Sequence, residues 1–170
     1  MSAAPKRLFE PLTLGPVTLR NRTLRAAAFE GMAGGNRPTP ALVAYHRAVA
    51  AGGIGMTTVA YAAVERGGLT FGHQFLLRDE IVPALRELTD AVHREGARAS
   101  IQIGHAGNMA SLGVTRQWPM APSSRPNLYG PTWPRAMTKA DIGRLVGSFA
   151  RATRIARDAG FDAVEIHAGH

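Results

Sequence analysis

The sequence predicts an α/β fold, the first half of a (β/α)8 barrel with an N-terminal hairpin and one long loop after its third strand. Three observations predict it. Apolar, β-branched runs alternate with segments of 3.6-residue period, so strand and helix follow one another along the chain. No G-x-G-x-x-G pattern follows the first of these strands, which removes the mark of an open dinucleotide-binding sheet. The polar residues with chemical use stand at strand C-terminal ends, where barrels keep their sites. A full barrel needs eight strands and about 250 residues. Four strands are counted in 170 residues, so residues 1–170 are read as the N-terminal half of a single barrel domain.

Each element has its own justification. Leu12-Thr13-Leu14 and Val17-Thr18-Leu19 alternate around Gly15-Pro16 and read as a hairpin that could plug a barrel floor. Residues 23–28 form a short first strand whose small Ala26, Ala27 and Ala28 leave the backbone open to something flat. Leu42, Val43, His46, Val49 and Ala50 share one face of a helix over 40–51, closed by Gly52-Gly53. Residues 54–60 are apolar on both faces, as expected of a parallel strand under helices. A second helix over 79–96 carries Ile81, Leu85, Leu88 and Val92, and residues 97–103 form the third strand. Thr138 and Asp141 make a capping box for a third helix, which is expected to turn Ile142, Leu145, Val146, Phe149 and Ala152 inward. The fourth strand covers 161–166. Between strand three and that last helix lie residues 104–137, with five prolines, Trp118 and Trp133; a loop of this length in a compact domain is expected to wall a site.

Composition narrows the function classes. Without cysteine there are no disulfides, thiolate nucleophiles or Cys-ligated metals. No apolar run reaches about 18 residues, so no membrane partner is expected, and without a signal-like N-terminus the expected location is the cytoplasm. The net charge of +8 comes mostly from scattered arginines. That scatter, with no aromatic interleaving, argues against a nucleic-acid partner.

The candidate chemistry sits late in the chain. His167 and His170 close the fourth strand and could grip one substrate oxygen through two N–H donors, as an oxyanion hole does. They could instead bind a metal ion, which needs a third ligand such as His105 or Glu165. Glu165 is read as turned away from His167 by strand alternation. Gln102, near the end of strand three, offers an amide donor and acceptor to a ring edge. His105 reads first as a loop-ordering residue bonded to backbone.

Several segments together resemble the Old Yellow Enzyme-type flavin reductases. They are Leu8-Phe9-Glu10-Pro11-Leu12 with Leu19-Arg20-Asn21-Arg22, Tyr45-His46-Arg47 with Ala51-Gly52-Gly53-Ile54-Gly55-Met56, Gln102-Ile103-Gly104-His105-Ala106-Gly107, Ala121-Pro122-Ser123, and the run from Gly160 to His170. The resemblance covers the whole length in family order. It implies a barrel with FMN at its C-terminal face, reduced by NADH or NADPH, and an ene-reductase activity on alkenes conjugated to a carbonyl. It implies that His167 and His170 bind the carbonyl oxygen, that Gln102 meets the flavin pyrimidine edge, that Ala26, Ala27, Ala28 and Phe29 line the isoalloxazine, and that Tyr61 sits near it. It implies no metal. Phe29 stands where many members carry a hydrogen-bonding residue, and Tyr61 where a small one is common, so flavin tuning and the pocket wall are expected to differ here. The phosphate-binding loops would follow strands seven and eight. The 170 residues by themselves are therefore expected to hold FMN weakly and, with two open sheet edges, to form a homo-oligomer or to need a second half.

Overall fold

The computed structural model describes residues 7–128 and 132–169. β1 (Leu12–Leu14) and β2 (Val17–Leu19) form the expected antiparallel hairpin, turned by Gly15 at φ +55°. Then come β3 (Leu24–Arg25), α1 (Pro40–Ala51), β4 (Met56–Ala63), β5 (Phe75–Leu76), α2 (Val82–Arg94), β6 (Arg98–Gly104), α3 (Leu112–Thr115), β7 (Met120–Ala121), β8 (Arg135–Ala136), α4 (Lys139–Asp158) and β9 (Ala163–Ile166). The main sheet is parallel in the order β3-β4-β6-β9, and β5 pairs with the last residues of β4. These are four successive parallel strands joined by helices, as a half-barrel requires.

Local chemistry explains the helix ends. Pro40 occupies the first turn of α1, and the Thr39 hydroxyl accepts from the Leu42 N–H. α4 opens on the expected capping box: Thr138 Oγ1 accepts from Asp141 N, and Asp141 Oδ2 accepts from Thr138 N. Helices and sheet meet in one core of Leu42, Val59, Leu85, Leu88, Ile101, Ile103 and Ile155, among others, all fully buried.

Four expectations need correction. The first strand shrinks from 23–28 to Leu24–Arg25, because beyond Arg25 side chains rather than a ladder satisfy the backbone. The strand pair β4 and β6 is not apolar on both faces. Val59, Ile101 and Ile103 lie in the helix-covered core, whereas Thr58 and Ser100, alternating with them, bond each other at 2.6 Å. α2 begins at Val82 after a separate turn of 3-10 helix at Asp79–Ile81. α4 keeps only part of its expected face: Ala152 is buried and Leu145 and Phe149 pack against the core, joined by Ser148, Ile155 and Ala156, whereas Ile142 is 50% and Val146 64% exposed. α4 packs on the sheet and α2, and near its start Asp141 bonds Arg135 and Arg144 reaches the Met120 sulfur of the long loop.

At the N-terminal end of the strands, Arg20 holds the floor. Its guanidinium donates to the carbonyls of Ala50 (2.5 Å), Ile54 (2.9 Å) and Glu95 (2.7 Å), tying the ends of α1 and α2 to the hairpin. In the long loop, the described residues on either side of 129–131 meet in the β7–β8 pair. Trp118 Nε1 donates to the Trp133 carbonyl at 2.9 Å, and Trp133 Nε1 to Ser124 Oγ at 2.9 Å. No helix among the described residues is long and apolar enough to cross a membrane.

Candidate active site

The C-terminal ends of β4, β6 and β9 surround a half-open pocket of about 310 Å³. Phe29, Tyr61, Phe71, His105, Met109 and His167 line it. Phe29 stacks on Phe71 with ring centroids 5.0 Å apart, Phe71 on His73 at 5.6 Å, and Tyr61 tilts against His167 at 6.0 Å. These rings give the pocket a flat, mainly apolar wall.

Strand geometry places each side chain. β9 ends at Ile166, and the His167 N–H continues the ladder to the Ile103 carbonyl at 2.9 Å, so its side chain takes the next alternating position. A Cβ built on Gly104 would stand 3.1 Å from the His167 Cβ, so the bare glycine leaves room for this imidazole. Glu165 is two residues from His167 and shares its face; the reading that turned it away is corrected by this period-two rule. Glu165 instead accepts from Gln102 Nε2 at 2.7 Å, directly across the β6–β9 register.

Tyr61 lies within a register irregularity of β4 between Val59 and Ala62, and its ring lines the pocket. Its hydroxyl donates to Thr70 Oγ1 at 2.8 Å. Burial pushes the phenol pKa up, against a smaller opposing effect of the Thr70 bond, so Tyr61 stays protonated at neutral pH.

His105 orders the loop, as expected. Its Nδ1 accepts from the Gly107 N–H at 3.0 Å, which puts the proton on Nε2, 3.4 Å from Glu65 Oε1. That separation is long for a hydrogen bond. Among the described residues no three His, Asp or Glu side chains stand together to hold a metal ion. Glu65 also accepts from Arg144 at 2.5 and 2.6 Å and from Ser148 at 2.8 Å. His105 first, then Arg144 and Ser148, outweigh burial and hold the Glu65 carboxyl down at about 2.

The pocket thus unites three of the expected site residues, Phe29, Tyr61 and His167. Ala26, Ala27, Ala28 and Gln102 are not among its lining residues: the alanines precede Phe29 in the irregular segment after β3, and Gln102 lies on β6 in its pair with Glu165. His170 falls outside the described residues. Sequence reasoning missed Thr70, Phe71 and Met109, which reach the pocket from loops. The available signal was a pair of aromatic and hydroxyl residues in a glycine-flanked stretch, Gly67-Gly68-Leu69-Thr70-Phe71-Gly72, just past a strand end.

A parallel half-barrel with an aromatic pocket at its strand C-terminal ends has the arrangement of a barrel enzyme, whose site stands at that face. The chain matches the NADH:flavin oxidoreductase / NADH oxidase family over residues 7–170 and belongs to it. It is 44% identical over its full length to the 4,4'-dithiodibutanoate disulfide reductase of Rhodococcus erythropolis, covering 42% of that protein. Over 96% of its length it is 36% identical to an NADPH dehydrogenase of Listeria monocytogenes, covering 48% of it. Among solved structures, the Old Yellow Enzyme homologue from Zymomonas mobilis superposes with a TM-score of 0.85 at 29% identity, over 95% of this chain and 48% of that one. The chain therefore spans less than half the length of these relatives, and half-coverage of such barrels agrees with the half-barrel seen here.

The residues present fit the family's cofactor. The ring wall of Phe29, Phe71 and Tyr61 suits a flat tricycle, while the Gln102 amide, already donating one N–H to Glu165, keeps its carbonyl and a second N–H for a polar ring edge.

Proposed function

We propose that residues 1–170 are the first half of a single FMN-binding barrel domain whose whole protein is an NAD(P)H-dependent ene-reductase. FMN, when bound, supplies the hydride chemistry, carrying electrons from NADH or NADPH to an alkene conjugated to a carbonyl. In this reading Gln102 binds the pyrimidine edge, Ala26, Ala27, Ala28 and Phe29 back the ring system, and Tyr61 closes one side. The observation that carries the reading is His167: an imidazole at a strand end, on the floor of an aromatic pocket.

His167 and His170 donate N–H bonds to the substrate carbonyl oxygen. As the β-carbon accepts hydride, negative charge grows on that oxygen, so the bonds strengthen in the transition state and lower the barrier. The apolar wall of Phe29, Phe71 and Met109 keeps water away and makes each such bond worth more.

The test is anaerobic. FMN and NADPH are added to the protein, and bleaching of the flavin band is followed by its recovery on addition of 2-cyclohexenone. Recovery is expected, with His167→Ala slowing it on the order of 100-fold while NADPH bleaching persists. Bleaching that the enone never reverses would refute the ene-reductase reading and leave the oxidoreductase class standing.

A further inference from the structure

The segment after β3 reaches the pocket without any strand ladder to hold it, and one buried ion pair does that work. Arg25 lies at the end of β3 and Glu30 follows Phe29. The Arg25 guanidinium donates to the carbonyls of Ala26 (3.3 Å), Ala28 (3.2 Å) and Thr58 (2.7 Å), and its Nη1 stands 3.0 Å from Glu30 Oε1. The Tyr45 ring covers it, with the guanidinium carbon 5.1 Å from the ring centroid. The Glu30 side chain is 2% exposed. Its Oε2 accepts the Ala60 N–H at 3.1 Å, and its Oε1 stands 3.2 Å from His46 Nε2. The other nitrogen of His46 bonds Thr57 Oγ1 at 2.8 Å.

The placement of these bonds is specific. β3 pairs with β4 only through Leu24 and Arg25, and β5 takes up that side again at Ala62 and Ala63, so residues 58–61 of β4 have no strand beside them there. Thr58 O and Ala60 N belong to that uncovered stretch, and Ala60 and Tyr61 lie within the register shift of β4 between Val59 and Ala62. Arg25 and Glu30 supply the donor and acceptor a longer β3 would have supplied. They also fold the intervening segment back, so that Phe29 meets Tyr61 with ring centroids 5.5 Å apart.

We propose that Arg25 and Glu30 are the positioning pair of the flavin site. Held by this clamp, the backbone of 26–29 and the irregular turn of β4 stay at one fixed separation, which sets the width available to the isoalloxazine. An all-backbone ladder would close that gap to strand spacing; side chains as spacers keep it open. The role at the flavin rests on the proposed function above, whereas the clamp itself does not.

Two volume-preserving variants test it, Glu30→Gln and Arg25→Lys. Glutamine keeps an acceptor for Ala60 but loses the ion pair; lysine keeps the charge but cannot reach three carbonyls and a carboxylate together. Glu30→Ala is the deletion. In flavin-free protein, amide exchange at Ala60 and across 26–33 is expected to quicken roughly tenfold in Glu30→Ala and less in Glu30→Gln, with Ile101 and Ile103 unchanged. FMN affinity, titrated by flavin fluorescence, is expected to fall on the order of 100-fold in Arg25→Lys and Glu30→Ala, with partial rescue in Glu30→Gln. Unchanged exchange at Ala60, or equal loss across the whole sheet, would overturn the clamp. Local loosening with unchanged FMN affinity would overturn its role at the flavin. Should Glu30→Ala fail to fold, the comparison of Glu30→Gln with Arg25→Lys decides. These titrations use the whole protein, of which residues 1–170 are the first half; wild-type whole protein that binds no FMN would instead overturn the functional reading, with the exchange result still judging the clamp.

Discussion

At the scale of single residues, charge and burial explain more than motif does. Glu65 shows how. Its carboxyl is held at about 2 against an ordinary 4.5 by His105, Arg144 and Ser148, so the folded protein binds its proton more weakly than the unfolded chain does. The stability it contributes is therefore complete above the ordinary value and disappears as pH falls through about 2. Glu65→Gln is expected to cost on the order of 1–2 kcal/mol at pH 7, a sum reduced by the half-exposed position of Arg144. Urea midpoints of wild type and variant should converge in acid; a constant gap from pH 7 to pH 2 would show that the carboxylate charge is not what stabilises. This residue joins the end of β4 to the long loop and α4, and no pattern in the sequence marks it. A glutamate that is buried by three partners from other elements looks, in the chain, like any surface glutamate.

At the scale of elements, the strand–helix units were readable because each carries its own period. α1 begins and ends where its Pro40 and Gly52-Gly53 require, and α4 begins at its capping box. The errors fell where a neighbour, not the element, decides. α4 has apolar residues on more than one face, so its period alone could not choose between Val146 and Ile155. β3 was read too long because its alanines permit a strand, while Arg25 and Glu30 take the bonds a strand would need. Close approach of elements also fixes glycines. A Cβ on Gly55 would stand 2.5 Å from the Asn21 carbonyl oxygen and 2.9 Å from that of Thr23, both backbone atoms. Gly55→Ala must therefore push β4 away from the segment before β3, and is expected to cost about 3 kcal/mol, measurable by urea denaturation. A cost below about 0.5 kcal/mol would show that this junction yields freely.

At the scale of the whole molecule, the parallel sheet ends in two open edges, β3 and β9, and each carries an exposed apolar side chain: Leu24 is 48% and Ile166 64% exposed, and α4 exposes Ile142 and Val146 as well. Backbone groups and apolar surface left open together favour pairing. The 170-residue chain is expected to self-associate, with a light-scattering mass that rises with concentration; a constant monomer mass to about 100 μM, roughly a hundred times a micromolar dissociation constant, would refute this. The order of strands and helices and the position of His167 at a strand C-terminal end were determined by the sequence alone, since periodicity, caps and strand ends are local properties. The site's walls were not. That Phe71 and Met109 would meet Phe29, that Gln102 would pair with Glu165, and that Arg25 and Glu30 would stand in for a missing stretch of strand were decided only by the tertiary structure. Each is a contact between residues far apart in the chain or held off the regular ladder, and such contacts exist only once the parallel sheet has brought its strand ends together.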